Sequence, residues 1–178
     1  MRLRALAHPL RWRLMHVVNS EGTATATRCS QVLGESVASC AYHLGILGKY
    51  GYVEQVRDTP GRERPWRAID RRQDLSPPGP GIDDALASEA ATEAFLDVEL
   101  EQIKAGQRRK SAEPPEWAAA TAVGGSTMWV TADELREIKD ELLGMLERYQ
   151  DRSDDAELRP PGARLSRVFF STSAWPQP

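Results

Sequence analysis

The chain of 178 residues contains only two cysteines, Cys29 and Cys40, and three histidines. Two thiols cannot build the disulfide framework of a small secreted fold. Both stand at apolar helix positions, where cysteine behaves as a small buried hydrophobe. Long hydrophobic runs are also lacking. The longest apolar stretch, Trp117 to Val123, is mostly alanine and falls far short of the ~20 residues a membrane-spanning helix requires. Arg2, Arg4, Arg11 and Arg13 charge the amino-terminal end with no apolar core behind them, so no signal peptide and no membrane partner are expected.

The equipment of an enzyme is missing too. There is no GxSxG elbow, no phosphate-binding glycine loop and no HExxH. The histidines are spread among helices without an obvious partner, so His8 and His16 read as surface or capping residues. The many carboxylates lie mostly on polar helix faces, where solvation accounts for them. No catalytic residue, metal site or cofactor is expected.

What is present is a division of charge. Residues 1–72 carry 12 Lys and Arg against 6 Asp and Glu, a net of +6. Residues 73–178 carry 11 against 20, a net of −9, which returns the chain's overall −3. Segregation of this kind can be an ordinary solvated surface. It also suits a polyanion meeting the first part alone.

Within the basic part, Thr25 to Ile69 reads as helix, tight turn, helix, then a two-stranded ribbon. The first helix is predicted over Thr27–Leu33. Gly34 ends it, because a helix end that turns left-handed favours glycine. Ser36 caps a second helix running to about Tyr50. Cys40, Leu44 and Leu47 fall three and four apart and share its inner face, with Ser39, Tyr42 and Ile46 on the other side. Two helices joined by a short turn, the second with a free face, form the geometry that fits a helix into the major groove. Tyr52 to Arg57 and Pro65 to Ile69 are predicted strands, joined through the turn signal Thr59-Pro60-Gly61. Arg57, Arg62, Arg64 and Arg67 cluster on this hairpin. Such charges discourage edge-to-edge sheet pairing; placed beside a recognition helix, they also suit a phosphate grip.

These residues resemble the ArsR-type winged helix-turn-helix transcriptional regulators, in particular actinobacterial members with a long carboxy-terminal extension. The resemblance rests on "ALAHPLRWRLMHVV", on "LGES" leading through "YHLGIL" to "YGYVEQV", and on "GRERPWRA", and covers about the first 70 residues. It implies a bacterial cytoplasmic regulator that binds double-stranded DNA as a homodimer. Metal-sensing members often carry Cys-x-Cys in the first helix of the motif, where this chain has Thr27-Arg28-Cys29-Ser30. Others use His and Asp on the carboxy-terminal dimer helix, and residues 83–109 contain no histidine. The resemblance therefore supports DNA binding and not metal sensing.

The expected DNA-binding residues follow. Ser36, Val37, Ala38, Ser39, Tyr42 and His43 of the second helix face base edges, the apolar ones toward thymine methyl groups. Arg57, Arg62, Arg64 and Arg67 hold phosphate. For Tyr42 and His43 the alternative is packing against the hairpin or the first helix of the motif.

Outside this stretch, a helical lead over Met1–Ala7 precedes a helix from Pro9 to about Asn19, with Leu10, Leu14, Val17 and Val18 inward. Pro77, Pro78 and Pro80 make residues 73–82 a linker. A long helix is predicted over Asp83–Arg109, its apolar band formed by Leu86, Ala90, Phe95, Leu96, Leu100 and Ile103. Glu113-Pro114-Pro115 breaks the chain, and Thr127–Val130 is predicted as a short strand. Thr131 and Glu134 then form a capping box for a helix to about Arg152, and Arg164–Ser171 is predicted as a final strand.

The expected architecture is mainly α with a small β-hairpin wing. A winged helix-turn-helix domain occupies residues 1–72, a linker 73–82, and helices of a dimerisation and effector region 83–178. Any effector is expected to be a small organic molecule near Phe95, Trp117, Met128, Trp129 and Tyr149. Two other functions fit the same residues: a winged-helix module for protein–protein contact, and a small-molecule binding protein with a vestigial DNA-binding part.

Overall fold

The computed structural model describes residues 2–56, 63–70, 75 and 79–175. It is mainly helical with one small antiparallel hairpin. In chain order the α-helices are α1 (Pro9–Glu21), α2 (Ala26–Leu33), α3 (Val37–Lys49), α4 (Ile82–Arg109), α5 (Pro115–Ala120), α6 (Ala132–Glu147) and α7 (Asp151–Asp154). Strands β1 (Val53–Gln55) and β2 (Trp66–Ala68) lie between α3 and α4, and Leu3–Leu6 forms a 3-10 helix before α1. No helix among the described residues is long and apolar enough to cross a membrane.

Local chemistry sets most of these boundaries. Pro9 occupies the first turn of α1, where its missing N–H costs nothing, and the Nδ1 of His8 accepts the Leu10 N–H. The Thr25 and Ser36 hydroxyls accept from Arg28 N and Ser39 N, capping α2 and α3. Gly34 ends α2 at φ 71°, where a side chain would be strained. The Thr131 and Glu134 capping box is formed in both directions. The Thr131 N–H and then the Thr131 hydroxyl, both donating to Glu134 Oε2, hold the Glu134 carboxyl below its ordinary pKa.

Compactness divides the chain into Met1–Thr121 and Ala122–Pro178. Within the first unit α4 packs on the Leu3–Leu6 helix and on α1. In the first unit a single apolar core joins Leu6, Trp12, Leu14, Met15 and Val18 to Cys29, Cys40, Leu44, Leu47 and Val53. The face of α4 that closes this core is not the predicted leucine band. Ala87, Ala91, Ala94 and Val98 are buried, while Leu86, Leu96 and Leu100 are exposed. Small side chains let the helix axis approach closely, and Phe95 packs on Trp12 with the rings tilted by 53° and their centroids 4.8 Å apart. His16, expected at the surface, lies in this contact: its Nε2 is 3.0 Å from Oε1 of the buried Glu99.

In the second unit α6 carries no buried side chain. The strands predicted over 127–130 and 164–171 are not formed. A strand needs a partner for its backbone groups, and none is paired with either segment. The helix predicted to run to Arg152 stops at Glu147 and resumes as α7.

Candidate nucleic-acid interface

The turn between α2 and α3 is tied to α1 from below. Arg13 donates from Nη2 to the Leu33 carbonyl at 2.9 Å and from Nη1 to Glu35 Oε1 at 3.3 Å. Ser30 Oγ donates to the Glu35 carbonyl at 2.6 Å. These bonds satisfy carbonyls that a helix end leaves open, and so fix the angle at which α3 leaves the turn. Cys40, Leu44 and Leu47 anchor the inner face of α3 in the core. Burial raises both thiols, Cys29 to about 11, so neither is a nucleophile or a ready metal ligand.

The outer face of α3 is what remains. Val37, Ala38, Ala41, Tyr42, Gly45 and Lys49 are exposed, and Tyr42 is the most prominent at 65%. Ala41, Gly45 and Lys49 were not among the expected contacts. Their signal was present in the sequence, since 37, 41, 45 and 49 recur every four residues and track one side of a helix. Ser36 and Ser39 stand at the helix start; the Ser36 hydroxyl is engaged by the Ser39 N–H at 3.1 Å.

His43 belongs elsewhere. Its side chain turns inward, its ring lies 4.5 Å from that of His8, and its Nδ1 accepts from Arg11 Nε at 3.2 Å. Burial, followed by the charges of His8 and Arg11, lowers its pKa. The nitrogen that could accept from a base is thereby engaged by α1. Tyr42 meets the His43 ring edge-on at 5.2 Å while its own ring projects outward.

The hairpin stands beside α3. Val53, Glu54 and Gln55 pair with Ala68, Arg67 and Trp66, and Ala24 adds a reciprocal pair of backbone bonds to Trp66 at 2.8 and 2.9 Å. Trp66 lies against Gly48 of α3, so hairpin and helix are packed together. Arg67 Nε donates to its cross-strand neighbour Glu54 at 2.7 Å, which draws that guanidinium along the sheet. Arg64 is exposed. Arg57 and Arg62 lie outside the described residues.

The residues expected near an effector differ in burial. Phe95 belongs to the amino-terminal core, and Met128, Trp129 and Tyr149 are exposed, Trp129 at 96%. An open groove of about 400 Å³ along α1 and α4 is lined instead by Pro9, Arg13, Asp97, Val98, Leu100, Glu101 and Lys104. Among the described residues no group of His, Cys, Asp and Glu is placed to hold a metal ion. No protein-family model matches the chain, and no curated protein matches it.

Proposed function

We propose that the chain is a bacterial cytoplasmic transcriptional regulator that binds double-stranded DNA sequence-specifically as a homodimer. One observation carries this reading: α3 is anchored on its inner face, pinned at its start by Arg13, and presents an exposed outer face next to a hairpin bearing Arg64. A helix held in that way can enter the major groove, and a flanking hairpin can reach phosphate. The basic balance of residues 1–72 and the likeness of their motifs to ArsR-type regulators support the same reading.

A second reading has its own observation. The outer face of α3 is small and apolar apart from Tyr42 and Lys49, which also suits contact with another protein. Titration of a labelled random duplex at two salt concentrations separates the two. DNA binding is expected to weaken steeply with salt, as condensed counterions are released. Selection from a random duplex pool is then expected to enrich a palindrome with half-sites about one helical turn apart. Salt-independent or undetectable binding would leave the protein–protein reading standing.

A further inference from the structure

We propose that α6 is a dimer contact, its apolar face pairing in parallel register with α6 of a second copy of this chain. The inference rests on the two-copy assembly proposed above, but not on DNA binding. Leu135, Ile138, Leu142 and Met145 recur at spacings of three, four and three, and Tyr149 continues the series after another four. That is the a/d repeat of a two-helix seam. None of these side chains is fully buried: Leu135, Ile138 and Leu142 are half-buried, and Met145 and Tyr149 are half exposed. The helix also begins with a complete capping box, so its first turn is held without help from tertiary packing.

Charge selects the occupant and its direction. With Leu135 and Leu142 at a, the flanking g positions hold Glu134 and Glu141, and the e positions hold Lys139 and Leu146. In a parallel pair each g residue meets the e residue five positions later on the partner. Glu134 of each copy then faces Lys139 of the other, and Glu141 faces Leu146, with no like charges opposed. An antiparallel pair that keeps the same four apolar layers would pair Glu134 with Arg148 but set Glu141 against Glu141 and Lys139 against Lys139. A second copy in parallel register therefore covers the apolar face and pairs Glu134 with Lys139 without opposing like charges.

The test uses the full chain with single cysteines introduced at the seam. The native Cys29 and Cys40 are buried and lie outside α6. In parallel register every a or d position faces its own counterpart, so Leu135→Cys and Met145→Cys are each expected to cross-link to themselves under mild oxidation. Leu143→Cys, on another side of the helix, is not. Cross-linking only when Leu135→Cys and Met145→Cys proteins are mixed would overturn the parallel register, and no cross-linking at either position would overturn the contact. In sedimentation Leu142→Asp is expected to raise the dimer dissociation constant roughly a hundredfold or more. Circular dichroism should show its helix content retained. Duplex binding is read separately. Self-association unchanged by Leu142→Asp would overturn this inference and leave DNA binding standing; a wild-type chain that stays monomeric would overturn it together with the homodimer.

Discussion

His43 accepts a hydrogen bond at Nδ1 from Arg11 Nε, 3.2 Å away, and this bond ties the middle of α3 to the start of α1. The acceptor lone pair at Nδ1 exists only on the neutral ring, in the tautomer protonated at Nε2. Burial and the neighbouring His8 and Arg11 both disfavour the charged ring, so the folded-state pKa lies below the ordinary 6.5.

The sign of the pH dependence follows. Well above pH 6.5 the ring is neutral whether folded or unfolded, and the bond contributes in full. As pH falls through that value the unfolded chain takes up the proton first, so stability declines until the folded ring titrates as well. Thermal melts between pH 7.5 and pH 5 are expected to show this loss. His43→Gln, which keeps an acceptor but cannot titrate, is expected to flatten that part of the profile. Parallel curves for the two proteins would show that the bond is not what responds to pH.

Gly48 has no room for a side chain. A Cβ there would lie 2.6 Å from Cζ3 of Trp66, the ring that fastens the hairpin to α3. Gly48→Ala is expected to cost about 1–3 kcal/mol in urea unfolding, as overpacked sites do. Adding Trp66→Leu should recover part of that loss by relieving the clash. If the two single effects simply add in the double variant, the clash with Trp66 does not govern this position.

Grip and readout are separable if the proposed function holds. Arg64→Ala is expected to weaken binding to a selected operator and to a scrambled duplex alike, and to reduce the salt slope by about one unit. Tyr42→Ala is expected to change sequence preference by roughly 1–3 kcal/mol at one or two base pairs while sparing the scrambled duplex. The reverse pattern, with Arg64 governing sequence and Tyr42 governing both duplexes equally, would exchange their roles.

The two thiols offer a probe of core integrity. Cys29 and Cys40 are fully buried, and desolvation raises Cys29 to about 11. Neither is expected to react with a thiol reagent at pH 8 in the native protein, and both should react at once in denaturant. Rapid native-state labelling at either site would mean that the α2 and α3 packing opens readily.

Much of the amino-terminal part was legible because its signals are local. A serine or threonine hydroxyl caps the helix that directly follows it, so Ser36 and Thr131 could be read within four residues of their partners. Gly34 and Pro9 act on their own backbone angles. The inward face of α3, Cys40, Leu44 and Leu47, follows from helical periodicity alone. The hairpin after it was legible from strand-forming residues on either side of a turn signal.

Long-range choices were not legible. Leu86, Leu96 and Leu100 are the more hydrophobic band of α4, yet the alanine face is buried, because close approach to α1 and the Leu3–Leu6 helix decided which side packs. Phe95 was read as a resident of the carboxy-terminal half and is instead packed on Trp12. Residues 127–130 and 164–171 have strand-like composition, but pairing partners exist only in tertiary structure. His43 sits one residue from the exposed Tyr42, and a single step along a helix turns a side chain by about 100°. Whether that step carries it inward depends on where α1 lies. By itself the sequence determined the amino-terminal helices, most of their ends and the helix-turn-helix, since those interactions span a few residues. Only the tertiary structure decided which faces are covered, because burial depends on what another part of the chain brings against them.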